Sequence, residues 1–220
     1  MGIKVEGNYP FAGNIRLVVD TPSPDDFAVH LRLPGLVKTW QLFLNNDLLT
    51  LQPDQAGYLV LERRWKTGEV VELKLDMPAR LVVDVLGNRG HGAVTRGPLV
   101  YAADSTYLPE KMLLDEIVLS VNRDQFESRA FTVSRAETGS VHLMVPCLVP
   151  QPQTGAGLWR EHERYYDLNG SNHRAAAQEI EMVPFYEAGN READVYQVGV
   201  FPNNERVQKV TYQVWLPYQG

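Results

Sequence analysis

Cys147 is the only cysteine of the chain and sits in the run Val145-Pro146-Cys147-Leu148-Val149. Apolar neighbours raise a thiol's pKa and blunt its nucleophilicity. One thiol can neither close an intrachain disulfide nor supply the clustered thiolates of a zinc or iron–sulfur site. It reads as a buried structural residue. The run His162-Glu163-Arg164-Tyr165-Tyr166 begins like a zincin helix, but the second histidine is required one turn on, where Tyr166 stands. His91, His142 and His173 are scattered along the chain and read as hydrogen-bonded core or surface residues. No metal and no cofactor is expected.

Two carboxylates about 5–10 Å apart across a sugar ring can hydrolyse a glycoside. The visible pairs are Asp25-Asp26 and Glu161 with Glu163. The first follows Ser23-Pro24 and reads as turn chemistry; the second lies in a loop where nothing nearby promises the raised pKa a general acid needs. No catalytic residue is expected. The run Gly87-Asn88-Arg89-Gly90-His91-Gly92 matches a phosphate loop by glycine content alone and lacks the strand–loop–helix context, so it reads as a turn. The aromatic residues make the best positive case. Sugars stack their CH faces on Trp and Tyr rings while fixed polar groups meet their hydroxyls. Trp159, Tyr165 and Tyr166, interleaved with Arg160 and His162, form such a mixture and are the candidate carbohydrate-binding residues. The same rings could instead plug the loop onto its own domain or onto a partner.

The elements that must position these residues are strands. Over 220 residues the chain is 44% hydrophobic and 22% charged, the composition of a globular protein with a real core. A formal charge of −6 gives no basic field for nucleic acid or for anionic lipid, so neither is an expected partner. The first ten residues hold one Lys and no apolar run, and no stretch approaches the ~18 apolar residues of a membrane span, so a cytoplasmic location is the expectation.

Alternation with period two dominates. Strands are expected around Ile15–Val19, Phe27–Leu33, Tyr58–Leu61, Val71–Leu75 and Leu81–Val85, separated by turn signals such as Thr21-Pro22... through Asp26 and Pro34-Gly35. The sequence there is Thr21, Pro22, Ser23, Pro24, Asp25, Asp26. Leu42 and Leu44 lead into Asn45-Asn46-Asp47, a hairpin turn composition, with Tyr58 opening the next strand. Alternation returns at Ile117–Val121, Phe131–Val133, Val141–Val145, Ile180–Met182, Val195–Val200 and Val210–Val214. The expected fold is all-β, with two antiparallel β-sandwich domains. The first spans 1–103 and the second 110–220, joined by a polar connection ending in Leu108-Pro109-Glu110. A long loop at about 150–178 interrupts the second domain, and Ala175-Ala176-Ala177 within Ser171–Glu179 suggests a turn or two of helix.

The first hundred residues carry a more specific pattern. Asn8-Tyr9-Pro10-Phe11 with Gly13, then Phe27 to Gly35, resemble Y-P-x-x-G and F-x-L-x-L-R-I-P-G-W. Gly57 to Leu73 resembles G-Y-L-x-L-x-R-x-W-K-x-G-D-x-V-E-L, and Asp76-Met77-Pro78-Ala79-Arg80 and Arg96-Gly97-Pro98-Leu99-Val100-Tyr101 resemble L-x-M-P-x-R and R-G-P-L-V-Y. These blocks are similar, in order, to the bacterial glycoside hydrolase family 127, the β-L-arabinofuranosidase-like proteins. Further on, Val183-Pro184-Phe185-Tyr186 and Gly189-Asn190-Arg191 resemble I-P-Y-Y-x-W-x-N-R, with Ala188 where the family tends to carry Trp.

The resemblance implies an α/α catalytic barrel followed by β-sandwich domains, with a cysteine-bound zinc and a cysteine nucleophile in the barrel. This chain resembles the sandwiches without the barrel, as a fragment or a split or truncated gene product. The expected function is therefore that of a non-catalytic accessory region supporting a catalytic barrel domain or subunit, or mediating self-association as a homodimer. Alternatives are a freestanding module binding an arabinose-containing glycan through the aromatic loop, and a hydrolase using Glu161 or Glu163. Trp40, Trp65, Arg32, Arg80 and Arg96 fall within or beside the matched blocks and are expected to serve packing and ion pairing.

Overall fold

A computed structural model describes residues 2–83, 90–109, 112, 114, 117–120, 131–134, 139–150, 175–190, 198–200, 206–208 and 212–219. The described residues form strands and one 3-10 turn, so the chain is all-β. It divides into two compact units, Met1–Pro78 and Ala79–Gly220. The division falls upstream of the polar connection at 103–110, and beyond it Tyr101–Ala103 pair with residues 182–184 and Ala103–Asp104 with Tyr212 and Gln213.

The first unit contains β1 (Gly2–Gly7), β2 (Asn14–Asp20), β3 (Asp25–Arg32), β4 (Trp40–Leu44), β5 (Asp47–Leu49), β6 (Tyr58–Trp65) and β7 (Val70–Leu75). Five of them form an antiparallel sheet in the order β1-β2-β7-β4-β5, and β3 pairs with β6 in a two-stranded sheet. Because side chains alternate along a strand, Leu17, Val71 and Leu44 share one row across the larger sheet, and Ile15, Leu73, Leu42 and Leu49 the next. These rows pack with Val29, Leu59, Leu61 and Trp65 of the smaller sheet into one core. The opposite face carries charge: Arg16 Nη1 lies 2.6 Å from Glu6, and Lys74 sits 4.7 Å over the ring of Phe43.

Two local features explain sequence signals. Asn45 and Asn46 take φ of 51° and 74°, the left-handed conformation that a two-residue hairpin turn requires and that Asn tolerates. The hairpin they make joins β4 to the short β5, while the strand beginning at Tyr58 pairs with β3. Gly13 of the Y-P-x-x-G block lies where a Cβ would collide with the carbonyl oxygen of Leu75, and its own carbonyl accepts the Leu75 amide at 2.9 Å.

The second unit contains β8 (Ala79–Val83), β9 (His91–Arg96), β10 (Leu99–Asp104), the 3-10 turn Ser105–Tyr107, β11 (Val118–Ser120), β12 (Thr132–Ser134), β13 (Val141–Pro150), β14 (Ala175–Pro184), β15 (Val198–Val200), β16 (Arg206–Gln208), β17 (Tyr212–Gln213) and β18 (Trp215–Gln219). Its main sheet follows the path β17-β10-β14-β13-β11-β18-β9-β8, and β9 also pairs with β10. That last pairing closes a ring through β9, β10, β14, β13, β11 and β18. Within it, β11 and β18 run parallel. The ring encloses Val94, Tyr101, Leu119, Leu143, Val145, Cys147, Ile180, Met182 and Leu216.

Ala175-Ala176-Ala177 lies in β14, not in a helix, paired in register with Pro150, Val149 and Leu148 of β13. Alanine's helical preference is worth only tenths of a kcal/mol per residue, and a ladder of eight residue pairs outweighs it.

Trp65 is fully buried, stacks on Phe27 at 5.6 Å between ring centroids, and donates its indole N–H to the Phe27 carbonyl at 2.9 Å. Replacing it by Ala should cost about 3–5 kcal/mol in urea denaturation followed by circular dichroism. A loss below about 1 kcal/mol would contradict this placement of the core.

Candidate functional site

The five candidate carbohydrate-binding residues, Trp159, Arg160, His162, Tyr165 and Tyr166, lie outside the described residues, as do Glu161, Glu163 and His173. The remaining sequence candidates fall at separate places. Asp25 and Asp26 are exposed at the start of β3, where the Asp25 carboxylate accepts the Asp26 amide at 2.9 Å. Cys147 points into the ring's core, and burial, reinforced by Glu179, pushes its thiol up to about 11. Arg32 stacks over the Tyr58 ring at 5.9 Å. Among the described residues, no group of three or more His, Cys, Asp or Glu is arranged to hold a metal ion. A groove of about 250 Å³ in the first unit is crossed by Glu6, Arg16 and Glu72, whose charges pair with one another.

The concentration of polar chemistry is elsewhere, on the outer face of the second unit's ring. Along β13, Leu143, Val145 and Cys147 face the core, so His142 must point the other way. It is nevertheless only 1% exposed, because the turn after β14 and the 3-10 turn after β10 cover that face. Its Nδ1 lies 2.9 Å from Glu181 Oε1 and its Nε2 lies 3.0 Å from Glu187 Oε2. Tyr107 stands edge-on to the imidazole at 5.4 Å. A small apolar cluster of Ala102, Val183 and Ala188, with Tyr107 and Val214 against it, belongs to the same outer layer.

The covering turn is held from several sides. The Phe185 amide donates to the Val100 carbonyl at 2.8 Å, and the Gly189 amide donates to Asp104 Oδ2 at 2.7 Å. The other Asp104 oxygen accepts from the backbone and hydroxyl of Thr106, both at 2.8 Å, capping the 3-10 turn. Asn190 Nδ2 donates to the Tyr186 carbonyl at 2.6 Å, and the Tyr186 hydroxyl donates to Glu187 Oε1 at 2.8 Å. Gly189 has φ of 77° and lies against the Tyr212 ring, so the turn needs a residue without a Cβ there.

Burial pushes the Glu187 carboxyl up, but hydrogen bonds from Ser140, Tyr186 and His142 outweigh it and hold the group below the usual carboxylate range. Partial burial and the bond to Glu187 push the Tyr186 phenol up. The imidazole presents neither nitrogen to solvent, since each is engaged by a carboxylate. It can clamp the turn to the sheet but cannot exchange protons with a bound substrate. What the clamped turn offers to solvent is aromatic: Phe185 and Tyr186 are about half exposed, with Tyr212 edge-on to Phe185 at 5.8 Å.

His142 read alone gave no sign of this cluster. The available signal was an acid, Glu181, inside an apolar strand, together with a second acid following the Pro184-Phe185-Tyr186 block. That block, which resembled I-P-Y-Y-x-W-x-N-R, is the clamped turn, and Ala188 occupies the buried position where the related pattern carries Trp.

The comparisons with known proteins agree with this layout. Residues 1–77 match the family model described as "Beta-L-arabinofuranosidase, GH127 middle domain", and residues 82–200 match "Glycoside hydrolase family 127 C-terminal domain". The chain belongs to glycoside hydrolase family 127. The two matched stretches meet beside the division between the structural units at Pro78 and Ala79. No curated protein matches the chain by sequence. A solved glycoside hydrolase matches 98% of this chain at 23% identity and a TM-score of 0.72, with 32% of its own length covered. A crystal structure of a β-L-arabinofuranosidase from Geobacillus stearothermophilus matches 99% of this chain at 22% identity and a TM-score of 0.72, with 30% of its length covered. A further β-arabinofuranosidase matches 99% at 23% identity and a TM-score of 0.68, with 31% covered. The chain thus spans about a third of the length of these structures.

Because the Glu187 carboxyl is held below its ordinary value of 4.5, the clamp contributes stability that is fully present above that value. It is lost as pH falls through the lower folded-state value. Glu187→Gln should therefore destabilise the second unit by about 1–3 kcal/mol at neutral pH, and the gap from the unsubstituted chain should narrow on acidification. Urea titrations from pH 7 down to about pH 3 read this directly. A gap that stays constant over that range would contradict the clamp.

Proposed function

We propose that this chain is the non-catalytic accessory β region of an arabinofuranosidase-like glycoside hydrolase, serving to support a catalytic α/α barrel carried on another domain or subunit. The observation that carries this reading is the pair of consecutive matches to the middle and C-terminal domains of the family, in a chain spanning about a third of the related structures. The side-chain chemistry supports it. The best-organised acids among the described residues, Glu181 and Glu187, are committed to His142, and the thiol of Cys147 is buried and kept protonated. None of these groups is free to attack a glycosidic bond or to protonate a leaving group.

The purified chain should release no nitrophenol from 4-nitrophenyl β-L-arabinofuranoside or from a panel of other nitrophenyl glycosides. Hydrolysis above background that is abolished by Glu163→Gln would overturn the accessory reading in favour of carboxylate catalysis by Glu163.

The aromatic composition of the sequence from Trp159 to Tyr166 favours a second reading, a carbohydrate-binding module using Trp159, Tyr165 and Tyr166 with Arg160 and His162. Titration calorimetry with arabinose-containing oligosaccharides separates the two. The accessory reading expects no heat of binding; heat that disappears in Trp159→Ala would establish the module.

A further inference from the structure

On β8, Ala79 and Leu81 face the core of the second unit's ring, so Arg80 and Val82 turn to its outer surface. The Nε of Arg80 is nevertheless closed off from solvent without a hydrogen-bond acceptor, and no ion pair joins the guanidinium to any described residue. The ion pairing expected of Arg80 is therefore not made among the described residues. A charged donor taken out of water without a partner is costly, whereas an apolar side chain of similar shape would sit there without that cost. Such an unsatisfied group in a native fold calls for an explanation. The outer Nη nitrogens are the ones left to receive a partner, in the fork geometry that suits a carboxylate. Part of the cation's water is already gone, so an arriving anion meets less of the usual desolvation penalty.

The neighbours indicate what carries that carboxylate. Register sets Arg80 opposite Thr95 and Thr95 opposite Val100, and the Phe185 amide donates to the Val100 carbonyl, so the four lie in one row across the sheet. Val100 and Phe185 are exposed, and Tyr212, half exposed, stands edge-on to Phe185 at 5.8 Å. The row offers one cation, then a hydroxyl, then apolar and aromatic surface. A single cation matches a monoanion, which favours a carboxylate over a phosphate dianion. A uronic acid in a sugar chain presents the same order of chemistry: a carboxylate, hydroxyls, and CH faces that stack on rings. Strands stand about 4.8 Å apart, so the row runs roughly 14 Å, longer than one sugar ring.

We propose that the row from Arg80 to Phe185 is a binding site for an acidic oligosaccharide. A uronic acid carboxylate pairs with the Nη nitrogens of Arg80, its hydroxyls meet Thr95, and the next sugar lies on Val100 and Phe185 beside Tyr212. The site is independent of the accessory reading, since it needs neither a barrel nor bond cleavage. It is also independent of the Trp159 module, whose residues differ and whose ligand is an arabinose-containing glycan.

Titration calorimetry at low salt with trigalacturonate should show binding with a Kd of about 0.1–1 mM. Its methyl ester, which lacks the charges, and neutral arabinotriose should bind about tenfold more weakly or not at all. Arg80→Gln should weaken trigalacturonate binding about tenfold or more, and Phe185→Ala several-fold. As a second readout on the free chain, Arg80→Met should leave the thermal midpoint unchanged or raise it, because it removes an unsatisfied cation. Trigalacturonate should then raise the midpoint of the unsubstituted chain and not that of the variant. No heat with trigalacturonate, equal heat with the ester, unchanged binding in Arg80→Gln, or a lowered midpoint in Arg80→Met would each overturn the proposal. Equal heat with a hexaglutamate peptide would overturn the sugar assignment in favour of an acidic protein segment.

Discussion

The second unit depends on the pairing of its last strands. Every backbone N–H and C=O taken out of water needs a partner, and a sheet can supply them along its whole width only by closing. The segment from Tyr212 to Gln219 performs that closure. Tyr212 and Gln213 pair with β10, Trp215 to Pro217 pair with β9, and Tyr218 and Gln219 run parallel to β11. Three strands drawn from residues 91–120 are thereby joined to the same run of eight consecutive residues, and Leu216 from that segment sits fully buried in the enclosed core. The first unit is built differently. Its larger sheet stays open, with apolar side chains covered by β3 and β6 and with β1 left at the margin.

Closure also explains why an acid and a histidine can be buried outside the core. Once β13 and β14 are locked side by side over eight residue pairs, their outward side chains have fixed positions, and a covering turn can be built against them. His142 and Glu181 come from those two strands, and Glu187 comes from the turn. Burying the imidazole and partly covering two carboxylates is unfavourable unless each finds a partner, and here each does. The Pro184-Phe185-Tyr186 block, its glycine and its asparagine are the parts of that turn: Gly189 supplies the left-handed backbone and the amide for Asp104, and Asn190 ties the turn to itself.

Much of this was legible in the sequence, and the exceptions have physical reasons. Period-two alternation located β2, β3, β6, β7, β13 and the later part of β14, since a strand with one face buried writes its register into the residue types. Pairing was harder to see. Asn45-Asn46 announced a turn but not that its partner strand would be only Asp47–Leu49, because a three-residue strand carries too few positions to alternate. The polar run at 103–110 suggested a boundary, while the compact units part at Pro78; β9 and β10 find hydrogen-bond partners in the second half, and β8 pairs with β9. Composition cannot report a pairing across a hundred residues. The alanine run at 175 lacked both period and β-branching, so its strand state is imposed by β13. The candidate site was illegible for a related reason: His142, Glu181 and Glu187 are brought together by register and by a turn, and no local spacing links them.

The most direct test of the closed ring is amide hydrogen exchange on the chain with residues 212–220 removed. The account predicts that protection is lost across β9, β10 and β11, at residues such as Ala93, Ala103 and Leu119, while β2 and β7 of the first unit remain protected. Retained protection in those three strands after the deletion would show that the second unit does not depend on its last strands.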